Sequence, residues 1–211
     1  MASSSSSLAP AKAIHVIAPH ENVHAQKLPV SIFLAGSIEM GKAPEWQKEI
    51  ISTLAHHPFA IYNPRRGPEF KWEAGNNALF KEQVDWEHKH LSESSIIAMF
   101  ISGETKAPIS LMEMGMFATS GRLIVACEKN FWRLGNVEWV CRYYGITLVY
   151  TLDDLIVEVE KRAKQIESGR FTVKKSHEVS GPTMSVLESP WTYALAAAGL
   201  AVGVGLARVR R

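Results

Sequence analysis

The sequence is poor in cysteine and has no excess of charge of one sign. Its 211 residues include two cysteines, Cys127 and Cys141, and 23 basic against 21 acidic residues give a formal net charge of +2. Two thiols exclude a disulfide-rich framework, and both lie in patterns typical of a buried core. The balanced charge provides no overall field for a nucleic-acid polymer, so we predict no such partner.

The eight histidines also lack the spacing of a helical metal site. His88 and His90 are two residues apart and His56 and His57 are adjacent, whereas zinc-binding pairs on one helix lie three or four residues apart. We therefore predict no metal site.

Apolar segments alternate with helical patterns through the middle of the chain. Continuous apolar strands are predicted at residues 30–35, 59–62, 96–101, 123–127 and 147–150. The segments between them have helical periodicity, as in the spacing of Trp46, Ile50 and Leu54. This alternation predicts an α/β domain over residues 29–168, with a doubly wound, flavodoxin- or Rossmann-like sheet of five parallel strands and helices on both faces.

The predicted domain is flanked by segments of different composition. Residues 1–28 contain a serine run and no sustained period, which predicts a disordered N-terminal tail. Residues 169–189 are polar and predict a linker. Residues 190–211 are apolar on every face and end in arginines, which predicts either a membrane anchor or a buried helix that closes the core.

One carboxylate, Glu113, follows the predicted strand at residues 96–101, and we place it on the first turn of a helix. Open α/β sheets bind ligands at the carboxyl ends of their strands, where a glutamate can act as a nucleophile. Ser110-Leu-Met-Glu113 also matches a capping box, in which Glu113 would bond only the Ser110 backbone N–H. Spacing alone favours the capping box.

Other polar residues follow the ends of the predicted strands or lie in the helix before the third strand. Each has a structural alternative, such as a turn, a surface ion pair or aromatic packing. Because the carboxyl ends of parallel strands meet at one edge of a sheet, we expect these residues to lie close together there. A group of such residues at that edge predicts a substrate site. The candidates are Gly36, Ser37, Asn63, Arg65, Arg66, Trp72, Asp85 and Glu87.

Five motifs, in order, make residues 30–150 resemble the nucleoside 2-deoxyribosyltransferase-like family. They are Leu34-Ala-Gly-Ser-Ile38, Asn63-Pro-Arg-Arg66, Gln83-Val-Asp-Trp-Glu87, Pro108-Ile-Ser-Leu-Met-Glu-Met-Gly115 and Phe131-Trp-Arg-Leu-Gly-Asn-Val137. The resemblance implies that Glu113 is a nucleophile and that Glu87 contacts the nucleobase. It also implies a homo-oligomer in which Asn136 reaches a sugar across a subunit boundary.

Two positions depart from the family pattern. Phe33 stands where the transferases have a tyrosine that orients the nucleophile, and Ala107-Pro108 stands where they have an aspartate. A related branch of the family hydrolyses deoxynucleoside monophosphates and uses the Gly-Ser after the first strand for phosphate. Gly36 and Ser37, with the nearby arginines, match that branch, so we expect Arg65 or Arg66 to matter more for nucleotides than for nucleosides.

The sequence thus predicts an N-glycosidic bond enzyme acting on (deoxy)nucleosides or nucleotides. Glu113 would form a covalent glycosyl ester, and Glu87 would help protonate the leaving base before deoxyribosyl passes to another base or to water. No organic cofactor is implied. The alternative is a non-catalytic nucleotide-binding or sensing module tethered to a membrane.

We predict that residues 190–211 anchor the chain to the cytoplasmic face of an intracellular membrane. The apolar part, residues 191–207, would span roughly 25 Å as a helix, which fits a thin membrane such as the mitochondrial outer membrane. Carbonate extraction should leave the full chain in the membrane pellet and release a version ending at Ser189. Recovery of both in the soluble fraction would instead identify a cytoplasmic protein.

Overall fold

The computed structural model describes residues 12–41, 43–67 and 77–172. Within these residues six strands form one sheet: β1 (Ile14–Ile17), β2 (Val30–Gly36), β3 (Phe59–Asn63), β4 (Ile96–Ile101), β5 (Leu123–Cys127) and β6 (Thr147–Val149). The α-helices of the same residues are α1 (Trp46–Leu54), α2 (Ala78–Glu93), α3 (Pro108–Phe117), α4 (Leu134–Tyr144) and α5 (Leu152–Glu167).

The strands lie in the order β1-β3-β2-β4-β5-β6, and every neighbouring pair is parallel. The chain therefore passes from β2 to β3 on one side and then crosses to β4 on the other side of β2. Such a reversal of direction opens a crevice at the carboxyl ends of the central strands. The predicted doubly wound α/β class is confirmed, with six strands in place of five.

The additional strand lies in the segment that we predicted to be a disordered tail. β1 pairs with β3 in register from Ile14 with Ala60 to Ile17 with Asn63. Of its four residues only Val16 is buried, because an edge strand has one neighbour and an exposed side. One buried position gives no detectable hydrophobic period, and this is why the strand was missed. The prediction of a disordered tail is wrong from residue 12 onward.

The sheet separates two apolar cores, and successive side chains of each central strand enter opposite ones. In β2, Phe33 and Ala35 face α2, α3 and α4, whereas Ile32 and Leu34 face α1 and α5. Helices cover both faces, so the central strands are apolar at nearly every position. This explains why continuous apolar runs identified these strands in the sequence.

The predicted linker and C-terminal anchor lie almost wholly outside the described residues. α5 ends at Glu167, and the described part of the chain ends at residue 172. Within the described ranges, no helix has the length and apolar character needed to cross a membrane. The membrane anchor therefore stays a prediction.

We predict that Gly36→Ala destabilises the fold, by about 2–4 kcal/mol in the free energy of unfolding. Gly36 has a φ of 131°, and a Cβ added there would lie 2.0 Å from the Phe100 carbonyl oxygen of β4. Urea unfolding measures the effect. Gly135→Ala is the control, because a Cβ at that helical position meets nothing within 4 Å and should change stability by less than about 1 kcal/mol. Equal effects at the two positions would contradict the prediction.

Candidate active site

A cavity of about 600 Å³ opens at the carboxyl end of β2, between α2 and α3. This volume lies within the range of small-molecule sites, roughly 300–1,000 Å³. Much of its wall is apolar, with Phe33 and Ala35 at its base and Met112 and Met116 on α3. Three carboxyl groups, those of Glu39, Glu87 and Glu113, also line it. Such a setting suits a ligand with a flat apolar part and a few polar groups.

Glu113 lies one turn further into α3 than we predicted. The helix begins at Pro108, and its N-cap is Ala107, which is in the left-handed region with a φ of 45° and makes no side-chain cap. Ser110 is thus inside the helix and the predicted capping box is wrong. Since Glu113 is not used as a cap, its side chain is left to line the cavity.

The carboxylate that does satisfy the start of α3 is Glu39, a residue that the sequence analysis missed. Its Oε1 accepts hydrogen bonds from the backbone N–H groups of Lys106 at 2.8 Å and Ala107 at 3.0 Å. Glu39 lies in the loop after β2, far from α3 in the sequence. Because capping patterns are local in sequence, no pattern around α3 indicated this contact.

Glu87 enters the cavity from α2 and belongs to a chain of hydrogen bonds. The Gln83 side-chain amide donates to Glu87 Oε1 at 2.7 Å, as their spacing of four residues on a helix allows. The Gln83 carbonyl oxygen in turn accepts from Nε of Arg66. Gln83 is fully buried, so this chain fixes the orientation of the Glu87 carboxylate.

The two carboxyl groups share one electrostatic environment. Burial, with a contribution from the charge of Glu87, raises the pKa of Glu113 to about 8. Burial also raises the pKa of Glu87, but the Gln83 hydrogen bond and the Arg66 charge oppose that shift. At neutral pH Glu113 is therefore protonated.

No hydrogen-bond donor in the described ranges contacts the Glu113 carboxyl. Phe33, which lines the same cavity, stands where the resemblance leads one to expect an orienting tyrosine and has no hydroxyl group. The lack of a donor leaves desolvation unopposed, which is why the pKa of Glu113 rises further than that of Glu87.

Gly36 lines the cavity, whereas Ser37 is committed to the fold. The Ser37 hydroxyl accepts from the Ser102 backbone N–H at 3.0 Å and contacts Thr105 Oγ1 at 2.6 Å. Because the Thr105 hydroxyl donates to the Ser102 carbonyl, Ser37 is the donor to Thr105. The single hydroxyl hydrogen of Ser37 therefore joins the loops that follow β2 and β4.

The two arginines are engaged by the protein itself. The Arg65 guanidinium donates to the carbonyl oxygens of Gly41, Ala43 and Pro44 at 2.8–3.0 Å and to Gln47. Arg66 binds Gln83 and also reaches Glu82 at 3.4 Å. The Arg65 guanidinium thus holds the loop before α1. The Arg65 side chain does not line the cavity.

Three further candidates, Asn63, Asp85 and Asn136, do not line the cavity. Asn63 Oδ1 accepts from the Arg65 backbone N–H at 3.0 Å, so this side chain shapes the turn after β3. Asp85 is exposed and pairs with Lys81 on the outer side of α2. Asn136 is exposed on α4, and its approach to a neighbouring subunit stays a prediction. Trp72 lies outside the described residues.

The part of the chain that builds this cavity matches a known family. The model of the family described as "Nucleoside 2-deoxyribosyltransferase like" covers residues 29–131. Residues 29–131 are therefore similar to the nucleoside 2-deoxyribosyltransferase-like family, and the resemblance drawn from the motifs is confirmed. The match supports a nucleoside-related glycosyl-transfer function in general terms.

Comparisons with individual proteins are less informative. No curated protein matches the chain. Among solved structures, the chain is similar to one described as a conserved protein from Enterococcus faecalis V583, with 13% identity and a TM-score of 0.47. The similarity covers 63% of this chain and 98% of that chain.

We predict that the raised pKa of Glu113 makes the protein less stable as the pH increases. The folded protein keeps this proton up to about pH 8, whereas the unfolded chain releases it near pH 4.5. Between these values the folded state binds more protons, so the free energy of unfolding falls with rising pH. Glu113→Gln removes this contribution, because glutamine does not titrate.

Urea unfolding of both proteins from pH 4 to pH 9 measures the difference. The stability of the wild type relative to the glutamine variant should fall between about pH 4.5 and pH 8 and stay constant outside that window. Parallel stability curves across the window would show that Glu113 titrates normally.

Proposed function

We propose that Glu113 and Glu87 cleave the N-glycosidic bond of a deoxynucleoside and pass the deoxyribosyl group to a second base or to water. The observation that carries the proposal is a pair of electrostatically coupled carboxyl groups in a largely apolar cavity at the carboxyl end of a parallel sheet. Two carboxyls flanking a reacting anomeric carbon are the usual requirement for glycosyl transfer through a covalent ester.

The proton on Glu113 must leave before this carboxylate can attack. Glu87 is the neighbouring carboxyl, and its hydrogen bond with Gln83 keeps it oriented while the proton is transferred. A Glu113 oxygen then bonds to the anomeric carbon as the bond from that carbon to the base nitrogen breaks. The proton on Glu87 passes to the leaving base.

The second half of the reaction restores both groups. An incoming base nitrogen or a water oxygen bonds to the anomeric carbon, the ester bond to Glu113 breaks, and Glu87 takes the proton that the acceptor loses. The choice of acceptor depends on how well the cavity excludes water. Ile109, Met112 and Met116 line the cavity and are also exposed. Association with a second copy of the chain would cover them, consistent with the homo-oligomer that we expect.

The charges of the cavity favour an uncharged nucleoside over a nucleotide. Within the described residues, its wall contains three glutamates and no lysine or arginine. Arg65 is committed to the loop before α1, and the backbone N–H groups at the start of α3 already bind the Glu39 carboxylate. A phosphate would have to displace the Glu39 carboxylate from these N–H groups, which like-charge repulsion opposes.

A non-catalytic nucleoside-binding module is the second candidate function. The observation that favours it is Phe33, because a cavity without an orienting donor leaves Glu113 protonated. Ligand-induced thermal stabilisation without product formation would support this alternative. Product formation would exclude it.

We predict that Glu113→Gln lowers turnover of a cleaved deoxynucleoside by roughly a thousandfold or more while the protein stays folded. Glutamine has nearly the same shape but cannot act as a carboxylate nucleophile. The measurement is chromatography after incubation with a deoxynucleoside panel, with and without a free acceptor base. Glu49→Gln, an exposed position on α1, is the matched control and should keep wild-type rates. Wild-type rates in Glu113→Gln would show that the nucleophile is a different group.

We also predict that the wild type prefers deoxynucleosides over their 5′-monophosphates by at least about tenfold in kcat/KM. Glu39→Gln removes one negative charge from the cavity and should reduce that preference, since it weakens the repulsion of phosphate. Glu49→Gln should leave the preference unchanged. A wild-type preference for the monophosphates would contradict the assignment of an uncharged substrate.

A further inference from the structure

A group of metal-ligating side chains lies away from the cavity. His56 and His57 follow the end of α1, and Glu160 lies on α5. Each offers one ligand atom, and these atoms all lie within 4.8 Å of one another. His57 Nε2 is 3.2 Å from Glu160 Oε1. We propose that these three residues bind a divalent transition-metal ion of the Zn²⁺ type.

The local structure holds two of the three ligands in place. The His57 ring stacks on Phe59, with centroids 4.7 Å apart and planes 8° apart. The His57 backbone N–H donates to the Leu54 carbonyl at 3.0 Å, and the His57 carbonyl accepts from the Phe59 N–H at 2.9 Å. Glu160 is fixed by α5. A metal ion would therefore bind ligands that already lie close together, with little further loss of conformational entropy.

The identity of the ligands selects the class of metal. Two imidazoles and one carboxylate match the three protein ligands of zinc sites that keep a fourth position for water. Imidazole favours Zn²⁺, Cu²⁺ or Ni²⁺, whereas Mg²⁺ and Ca²⁺ prefer sites built from oxygen alone. His56 is exposed, so the fourth position opens to solvent.

The charges around the group do not block a cation. Lys161, which follows Glu160 in the sequence, directs its ammonium group to both carboxylate oxygens of Glu158 at 3.0 and 3.1 Å. Lys164 and Arg170 line a groove beside Glu160. Both side chains are exposed, and Arg170 Nε donates to Ser168 Oγ at 3.0 Å. These flexible side chains can move away from a bound metal ion, because their charged groups prefer water.

The position of the group indicates what a bound metal does. The turn between α1 and β3 lies at the amino ends of the strands, opposite the edge that forms the cavity. A metal held there joins the end of α1 to α5 and stabilises the fold without taking part in the reaction. The spacing of the histidines within single helices predicts no metal, whereas this site takes its third ligand from a distant helix.

The test uses the full chain after removal of metals with a chelator. Calorimetric titration with Zn²⁺ should show one site per chain, and the midpoint of thermal unfolding should rise when Zn²⁺ is added. Glu160→Gln keeps the side-chain shape and should weaken Zn²⁺ binding at least about tenfold, as should His57→Ala. His24→Ala and Glu49→Gln, which remove an exposed histidine and an exposed glutamate of α1, are the controls and should bind like the wild type.

Co²⁺ provides a second measurement, because the visible absorption of a four-coordinate Co²⁺ site is far more intense than that of solvated Co²⁺. This absorption should be present in the wild type and lost in Glu160→Gln, a variant that stays informative if His57→Ala fails to fold. The proposal is overturned if the wild type binds no Zn²⁺ at millimolar concentration. It is equally overturned if Glu160→Gln binds Zn²⁺ as tightly as the wild type.

Discussion

The close contact between the carboxyl ends of β2 and β4 is the constraint on which the site depends. Gly36 pairs with Phe100 with no room for a side chain between them, and the Phe100 carbonyl accepts the next backbone N–H, that of Ser37. Ser37 then binds the loop after β4 through Ser102 and Thr105. These contacts set the point from which α3 begins, and so they determine where Glu113 enters the cavity.

The carboxyl groups at this edge have different functions because their partners differ. Glu39 accepts two backbone N–H groups at the start of α3, where a negative charge is stabilised by the helix dipole. Glu87 has the Gln83 amide and the nearby charge of Arg66. Glu113 has neither kind of partner, and burial raises its pKa to about 8. One carboxyl group therefore supports the fold, one is held in a fixed orientation, and one is protonated at neutral pH.

Sequence patterns predicted the fold and the main carboxyl residues but not how polar side chains would be used. Continuous apolar strands and family motifs are encoded in short stretches of sequence. For this reason β2 to β6, Glu87 and Glu113 could be predicted from the sequence. The contacts of Ser37, Arg65 and Glu39 join segments distant in the sequence, and no local pattern encodes them. β1 was missed for a related reason, since an edge strand that buries one residue has no detectable period.

In the proposed reaction, the lack of an orienting donor beside Glu113 affects catalysis as well as stability. A tyrosine hydroxyl would lower the pKa of this carboxyl by stabilising its charged form, and the attacking group would then be ready at neutral pH. With Phe33 at that position, ionisation must be driven by the substrate, whose sugar hydroxyl groups can donate hydrogen bonds that the protein does not supply. Substrate binding and nucleophile activation are then one event. On this proposal Glu113 stays protonated until a ligand with correctly placed donors converts it to the carboxylate.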